Sequence, residues 1–557
     1  MVQLPTRHRW LTACALIALA ATGLASPAHA DDHTPKARHS SHAPRHGHNS
    51  TWTQEPKPDY ADPGTVMHPH TFGAPGGSTD PADFQMIQGS DLSGRIADLD
   101  AALYKQGVQD LMTQANRTAT TGIDCTTDPF GSGDRGTPLA PTTKYCWQSD
   151  DATTKEWIPQ AVSGVSDAQD DEYWGVKRPI TVGSYDAWNP GRDNDWPDGT
   201  KGDGVCQSSE PDSCNEKGVR ITFLDPDTNK YRHVLLVWPY YNSFNHISFD
   251  AVHADEDPLQ KGIHAGGMVW YGNYLYVADT MAGIRVFDMR DIMDLNPDQD
   301  ATVDDPTQDG LTSNVQDTRQ VGRQNNVWYS YGYRYVMPQV ATWKFAQPQY
   351  NKNKYQDGTS ITWCEDIGAP KDSYLSLDRS TTPDELVMGE YCRPGQDKDH
   401  SNQSKPSTGR IAGIPLNGTT GEISSSGGIS DVSAWGNFLP KDGNQGAAKY
   451  QGKFYLNQSH LYDSGSLWRA TITGGSLLTN GNEIPTAVGP EDMYVEHGTA
   501  TGAAPLLWSV TEHRENFEDP SCYDDPTDPY VGGGFVEPSQ CGRVLYAHKL
   551  SSIAAQP

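Results

Sequence analysis

Three short apolar runs follow one another in the segment GIHAGGMVWYGNYLYVADTMAGIRVFDM, residues 262–289. The turn signal Gly272-Asn273 separates the first run from the second, and Met281-Ala282-Gly283 separates the second from the third. Runs of this length, rich in β-branched and aromatic residues and bounded by turn residues, predict β-strands. A three-stranded meander cannot bury both of its faces alone, so the segment predicts that the meander packs against further units of its own kind.

Further copies of this plan occur along the chain, and each has the same order of strand and turn. In residues 446–472, for example, Gly452-Lys453 takes the place of Gly272-Asn273. Repeated antiparallel meanders at irregular spacing, with loops inserted on one side, predict an all-β fold of the β-propeller type. The copies begin near residues 159, 263, 370, 445 and 489.

These copies predict five blades. Six blades are the alternative if residues 326–345 form a blade of their own rather than the outer strand of the second copy. The last copy holds only three strands, so we expect residues 65–90 to supply its outermost strand and close the ring. The small residues of His264-Ala265-Gly266-Gly267 fit an innermost strand, because backbones converge closely around the axis of a propeller.

The run HAGGMVWYGNYLYVADTMAGIRVFD resembles the blades of exported bacterial propellers with LVIVD-type repeats, and those of a secreted actinobacterial propeller group. The resemblance covers about residues 157–557 and is strongest at 262–289 and 489–513. It implies a propeller fold and export. It implies no catalytic residues, because related blades serve many different functions.

The first thirty residues have the pattern of a signal peptide. Arg7 and Arg9 precede the apolar stretch 11–24, and Ala28-His29-Ala30 is a small-x-small cleavage site. We therefore expect a secreted, extracellular protein whose mature chain begins at Asp31. No later stretch has 18 consecutive apolar residues, so the sequence predicts no membrane span.

The mature chain divides into three predicted parts. Residues 31–60 form a His-rich disordered tail, because they are polar and lack periodicity. Residues 61–156 form an extension in which apolar residues at helical spacing predict a helix over about 91–116, packed on the propeller. Residues 157–557 form the propeller.

Cysteines fall in sequential couples. Cys14 leaves with the signal peptide, and an even number of cysteines in an exported chain predicts disulfides. No CxxC pair is present, which disfavours a zinc site. Because each couple flanks a loop, we expect four bonds, namely Cys125–Cys146, Cys206–Cys214, Cys364–Cys392 and Cys522–Cys541.

The formal net charge is −29 and becomes −31 without residues 1–30, which carry Arg7 and Arg9 but no acids. Such a surface repels phosphate backbones, which makes nucleic acid an improbable partner. It is compatible with cations, with basic proteins and with neutral glycans.

Aligning the copies by their turns places polar residues at two levels of the predicted channel. The second strands end at Ser184, Asp279, Glu390, Ser459 and Glu512. The innermost strands begin with Gln160, His264, Asp372, Asn444, Gln445, Glu491 and Asp492. Converging carboxylates and a histidine suit either a general acid–base pair or a divalent cation such as Ca²⁺. The plain alternative is a polar, water-filled channel whose groups only satisfy one another.

Metal ligands are also predicted at the mature N-terminus. Asp31-Asp32-His33 offers an amine, two amide nitrogens and an imidazole, a set suited to Cu²⁺ or Ni²⁺, while a disordered leader without metal is the alternative. The acidic loop 294–305 resembles a calcium loop in its placement of Asp294, Asn296, Asp298 and Asp305. It lacks the glycine and the final glutamate of such loops, and the acidic loop 193–206 is equally ambiguous.

Taken together, these features predict a secreted propeller that binds an extracellular ligand, preferably a glycan, at one face of the ring. Gln160, Asp279, Glu390, Asn444, Gln445 and Asp492 are the predicted ligand-binding residues. One alternative is a glycan hydrolase or lyase with His264, Asp372 and Glu491 as catalytic residues. A further alternative is a cation-binding protein without catalysis. No nucleophile elbow, P-loop or HExxH motif is present.

Overall fold

The structure is a computed structural model. It describes residues 74–131, 135–154, 156–187, 217–252, 263–280, 282–297, 310–346, 370–393, 407–460, 463–514 and 541–557. The predicted signal peptide, the His-rich tail and the Asp31-Asp32-His33 site lie outside these residues.

Two short helices and a strand stand where one helix was predicted over residues 91–116. Leu103 is extended, and the strand that follows it pairs with residues 292–294, which a continuous helix would prevent. Asp91 accepts hydrogen bonds from the backbone N–H and hydroxyl of Ser93 and so closes a turn directly before the first helix, whose N-cap residue is Leu92. The extension contains β1 (Met86–Gln88), α1 (Ser93–Ala102), β2 (Tyr104–Gln106), α2 (Val108–Thr113), β3 (Arg117–Thr118), β4 (Thr120–Thr121), β5 (Thr143–Cys146) and α3 (Ser149–Ala152), with 3₁₀ turns at Pro81–Phe84 and Gly122–Asp124.

The first two meanders are antiparallel sheets of four strands, with short additions. The order β6-β7-β8-β9 defines the first and β11-β12-β13-β17 the second. The meander predicted in the segment 262–289 therefore consists of three paired strands, as expected. Their bounds are β6 (Trp157–Gly164), α4 (Val165–Ala168), β7 (Ile180–Asp186), β8 (Val219–Asp225), β9 (Lys230–Tyr241), β10 (Ile247–Ala251), β11 (Met268–Tyr271), β12 (Tyr274–Asp279), β13 (Gly283–Asp288), β14 (Ile292–Asp294), β15 (Val321–Gln324), β16 (Val327–Ser330) and β17 (Tyr335–Phe345).

The remaining meanders repeat the pattern. Their sheet orders are β18-β19-β20-β23, then β24-β25-β26 with β27 and β28 on its outer side, then β29-β30-β31. Their elements are β18 (Asp372–Asp378), β19 (Glu385–Glu390), β20 (Arg410–Pro415), β21 (Ser425–Ser426), β22 (Ile429–Ser430), β23 (Gly436–Phe438), β24 (Asn444–Tyr450), β25 (Lys453–His460), β26 (Asp463–Thr473), β27 (Ser476–Thr479), β28 (Ile484–Val488), β29 (Pro490–Glu496), β30 (Leu506–Thr511), β31 (Val544–Lys549) and α5 (Leu550–Ala554).

The innermost strands of the meanders contact one another in a closed circle. β6 contacts β11 and β29, β18 contacts β11 and β24, and β24 contacts β29. Hydrophobic clusters fill the spaces between neighbouring sheets, as where Phe223 of β8 and Trp270 of β11 share one core. This circular arrangement of meanders about one axis is that of a β-propeller.

Small residues allow the innermost strands to meet. A Cβ atom at Gly266 would overlap the carbonyl oxygen of Ser373, and one at Gly267 would overlap the backbone nitrogen of Leu375. Only glycine permits backbones to approach so closely. The close approach of backbones that the Ala265-Gly266-Gly267 run predicted is therefore observed where this run, just before β11, meets β18.

The extension completes the last meander, but with other residues than predicted. β5 pairs with β31 through Thr143–Cys146, whereas residues 86–88 pair with β17 of the second meander. The disulfide Cys125–Cys146 is formed next to this pairing. Cys392 and Cys541 are also disulfide-bonded. The predicted bonds Cys206–Cys214, Cys364–Cys392 and Cys522–Cys541 each include at least one cysteine that lies outside the described residues.

Within the segment 326–345, residues Tyr335–Phe345 supply the outer strand of the second meander, because β17 pairs with β13, whereas Val327–Ser330 form β16, which pairs with β15. The same strand also pairs in parallel with β9, so the first two meanders share one continuous sheet. In the part of the chain that the structure describes, no helix is long and apolar enough to cross a membrane.

Candidate functional site

The predicted channel residues lie at the ends of the innermost strands, where β6, β18, β24 and β29 begin. Asp372, Asn444, Glu491 and Asp492 are almost completely buried, as is Gln160. Antiparallel meanders bring the beginning of each first strand and the end of each second strand to the same end of the ring. We call this end the channel mouth, and we take it as the candidate site.

Two glutamine amides and two carboxyl groups form a chain across the channel mouth. Gln160 Nε2 donates to Glu512 Oε2 at 3.2 Å, and Gln445 Nε2 donates to Glu491 Oε1 at 3.1 Å. Glu491 is 1% exposed, whereas the Glu512 side chain is 20% exposed. Burial raises the pKa of Glu491 well above its usual range, and the nearby charge of Glu512 raises it further. The pair therefore combines a buried, proton-holding acid with a carboxylate that solvent reaches.

Asp492 lies on the axis and connects the innermost strands. Its Oδ2 accepts hydrogen bonds from the backbone N–H of Val162, at 3.2 Å, and of Met268, at 3.1 Å. These donors belong to β6 and to β11, which are two different innermost strands. Burial raises the pKa of Asp492, and the backbone donors oppose that rise. Asp492 thus holds strands together at the axis.

Asp372 faces the same axis without a hydrogen-bond donor among the described residues. Both of its carboxyl oxygens are buried and unsatisfied, and so is the side-chain oxygen of Asn444. Burial raises the pKa of Asp372 well above its usual range, and the charge of Asp492 adds to the effect. Because its carboxyl group is uncompensated, Asp372 favours its neutral form.

The other two predicted carboxylates are held by arginines. Arg285 binds Asp279 Oδ2 through Nε at 2.8 Å and Nη2 at 2.6 Å. Arg410 binds Glu390 through Nε at 2.8 Å and Nη2 at 2.9 Å. In both pairs the arginine stands at or near the start of the third strand of its meander. Asp279 and Glu390 are therefore committed to buried ion pairs within the sheets, an arrangement that leaves little capacity for a ligand.

His264 lies at the surface rather than among the buried carboxyls. Its ring is exposed and stacks on Tyr185 with a centroid separation of 4.2 Å. Tyr185 follows Ser184, which pairs with Pro159, the residue before Gln160. Ser184 and Ser459 of the second level are buried. The Tyr185–His264 stack therefore places a planar surface beside the channel mouth.

Tyr391 is a residue of the mouth that the sequence did not single out. Burial raises its pKa to about 12, and the charges of Glu512 and Glu491 act in the same direction. The ammonium of Lys371 lies 5.0 Å from the centre of its ring. Its position in the sequence could have identified it, because Tyr391 directly follows Glu390 at the end of a second strand.

Metal-ligating sets are absent from the described residues, where no three His, Cys, Asp or Glu side chains could hold one ion. Asp294 of the suggested calcium loop is paired with Arg334 at 2.7 and 2.5 Å. Asp298, Asp305 and the loop 193–206 lie outside the described residues. The catalytic roles of His264, Asp372 and Glu491 remain predictions, and the burial of the last two separates them from solvent.

No protein-family model matches the chain, and no curated protein matches it in sequence. Among solved structures it is similar to a family-43 glycoside hydrolase, a β-xylosidase/α-arabinofuranosidase from a compost microbial metagenome crystallised with xylotriose. The identity is 9%, the TM-score 0.29, and the match covers 72% of this chain and 92% of that one. For a thermostable family-43 glycoside hydrolase the identity is 9% and the TM-score 0.28, and the match covers 71% of this chain and 90% of that one. For a putative glucose dehydrogenase from Thermus thermophilus the identity is 13% and the TM-score 0.25, and the match covers 71% of this chain and 97% of that one.

Proposed function

We propose that this chain is a secreted five-bladed β-propeller that binds a neutral glycan at the channel mouth. The observation that carries the proposal is the presence at the mouth of two hydrogen-bonding side chains that solvent reaches, those of Gln445 and Glu512, beside the Tyr185–His264 stack. Amides and carboxyl groups bind sugar hydroxyls by donating and accepting hydrogen bonds. Flat side chains provide the apolar surface on which a sugar ring can lie.

The charge of the chain supports a neutral ligand over an anionic one. With a net charge of −29 and the solvent-reached Glu512 at the mouth, a phosphorylated or sulfated ligand would meet repulsion. A neutral glycan avoids that cost, and the partly exposed Gln445 offers it an amide group. This argument also disfavours nucleic acid as a partner.

A glycan array of neutral oligosaccharides tests the proposal directly. We expect at least one class to bind, and we expect Gln445→Ala and Tyr185→Ala to weaken that binding at least tenfold. Tyr173→Ala is the matched control, because Tyr173 is a partly exposed tyrosine that follows the far end of β6. Absence of binding across the array would refute glycan recognition, and equal effects of Tyr173→Ala would refute this location.

Hydrolysis of the bound glycan is the second candidate. This role requires the mouth to open, because Glu491 is 1% exposed. The observation that favours it is that a buried acid of raised pKa, which can donate a proton, lies beside a second and more exposed carboxyl group. Release of reducing ends from any glycan that binds would establish hydrolysis. In that case we expect Glu491→Gln to abolish release while the affinity changes less than tenfold, and unaltered release would exclude Glu491 as the acid.

Export and the copper site are tested at the N-terminus. Mass spectrometry of the secreted protein should find a mature chain that begins at Asp31. Copper titration of that protein should then show one tight equivalent that His33→Ala removes. A chain that begins elsewhere would rule out the Asp31-Asp32-His33 site.

A further inference from the structure

A groove separate from the channel mouth lies under helix α1. Three parts of the chain line it, and we call it the α1 groove. α1 contributes Ile96 and Ala97, the second meander contributes Tyr274 and Val286, and the third meander contributes Glu422. Its volume is about 730 Å³, within the range of cavities that hold small organic ligands.

The floor of the α1 groove is apolar and its shape is fixed. Tyr276 and Trp343 are buried beneath it, while Tyr274 is only half-buried and forms part of the wall. The Tyr276 hydroxyl donates to the carbonyl oxygen of Gly421 at 2.5 Å. That bond holds the loop carrying Glu422 against the second meander.

The rim of the α1 groove carries an excess of negative charge. Lys105 binds Asp291 at 2.8 Å and Asp100 at 3.2 Å, and thereby neutralises one of the two. Asp288 is paired with Arg290 at 2.6 Å. The charges left over are those of Glu422, of Asp91 and of one carboxylate beside Lys105.

Tyr274 lies between carboxylates from two meanders. After burial, the charges of Asp288 and Glu422 are the largest causes that raise the pKa of its hydroxyl. Tyr274 pairs directly with Asp288 across β12 and β13, and Glu422 lines the same groove. An aromatic ring flanked by carboxylates attracts organic cations through its π-face and through direct ion pairing.

We propose that the α1 groove binds a small organic amine, with the apolar body of the ligand on the groove floor and its ammonium group between Tyr274 and Glu422. The volume, the apolar floor and the charged rim each match one part of such a ligand. The site is independent of the glycan site, since none of the channel-mouth residues Gln160, Gln445, Glu491 and Glu512 lines the groove.

Calorimetric titration with three indoles of nearly equal size tests the charge requirement. The probes are tryptamine, which is cationic, tryptophol, which is neutral, and indole-3-acetate, which is anionic. At low ionic strength we expect tryptamine to bind about tenfold more tightly than tryptophol, the ratio that 1.4 kcal/mol produces. Indole-3-acetate should not bind. Equal affinities for the first two probes, or no binding of tryptamine, would overturn the proposal.

Variants then test the location. Glu422→Gln changes an exposed loop residue and should weaken tryptamine binding three- to tenfold, while Ala97→Arg should abolish it by filling the groove with a cation. Asp124→Asn, an exposed carboxylate beside β4, is the matched control and should leave the affinity unchanged. Unchanged affinity in both groove variants would refute the site. Glycan binding at the channel mouth should be unaffected in all three, so the two proposals fail separately.

Discussion

Single carboxyl groups in the channel control how stability depends on pH. The pKa of Asp372 is higher in the folded protein than the usual value of 3.8, so folding becomes less favourable as pH rises above 3.8 towards the folded value. We expect Asp372→Asn to raise the free energy of unfolding at pH 7, because a neutral amide avoids the cost of ionising a carboxyl group whose pKa burial raises in the folded protein. Urea unfolding at pH 5 and pH 8 measures it. A variant less stable than the wild type at pH 8 would contradict the argument.

A buried histidine has the opposite effect on the acid side. His548 lies between the rings of Phe130 and Tyr546, and burial lowers its pKa to about 4. The unfolded chain binds a proton at this histidine more readily than the folded protein does. The contribution of neutral His548 to the free energy of unfolding is therefore complete above pH 6.5 and is lost as pH falls towards 4. When the pH falls from 7.5 to 4.5, the free energy of unfolding should decrease by roughly 2 kcal/mol less in His548→Phe than in the wild type. Parallel losses in the two proteins would show that this histidine does not titrate on unfolding.

Among the elements, β5 joins the extension to the last meander, and the disulfide Cys125–Cys146 keeps it near its partner. The bond closes a loop with a sequence separation of 21 residues. We expect Cys125→Ser with Cys146→Ser to lower the free energy of unfolding by about 3 kcal/mol, the loop-entropy estimate for a loop of this length. Denaturant unfolding without reductant provides the measurement, and an unchanged midpoint would show that β5 is held by pairing alone.

The sequence predicted elements well where a repeat constrained them. Turn signals located β11, β12 and β13, and aligning the copies brought Gln160, Asp372 and Glu491 to one channel. The helix over 91–116 was wrong in its continuity, because apolar spacing does not reveal that residues 104–106 pair with a distant strand. Closure by residues 65–90 was wrong for a similar reason, since nothing local distinguishes one edge strand from another.

The ion pairs of the channel were also missed, although a repeat signal existed. An arginine recurs at or near the start of the third strand in four meanders, as Arg220, Arg285, Arg410 and Arg543. Arg285 and Arg410 bind the carboxylates that end the preceding strands. A comparison of third strands would have predicted that Asp279 and Glu390 form buried ion pairs with these arginines.

At the scale of the whole molecule, the ring depends on a strand from outside the repeats. A chain that begins at Trp147 lacks β5 and leaves β31 as an open edge, which favours aggregation. We expect it to aggregate on heating, whereas a chain that begins at Ala74 keeps every described element and should unfold as the full protein does. Light scattering during a thermal scan compares them.

A single substitution tests the same closure without removing other elements. Tyr145→Pro introduces a residue without an N–H into β5 and also removes the ring stacked on Trp508. We expect Tm to fall by at least about 5 °C, which corresponds to roughly 2 kcal/mol for a large domain. A Tm equal to that of the wild type would mean that β5 contributes little to closure.

The parallel pairing of β17 with β9 restricts how this ring can deform. Residues Val336–Pro338 bond to Leu235–Val237, which fastens the first two meanders together at their outer edges as well as at the axis. These two units must rotate as one body, whereas neighbours joined mainly by side chains can slide past each other. If the channel widens to admit a ligand, we therefore expect the first two meanders to keep their relative position. The interface that separates should be one between other neighbouring meanders.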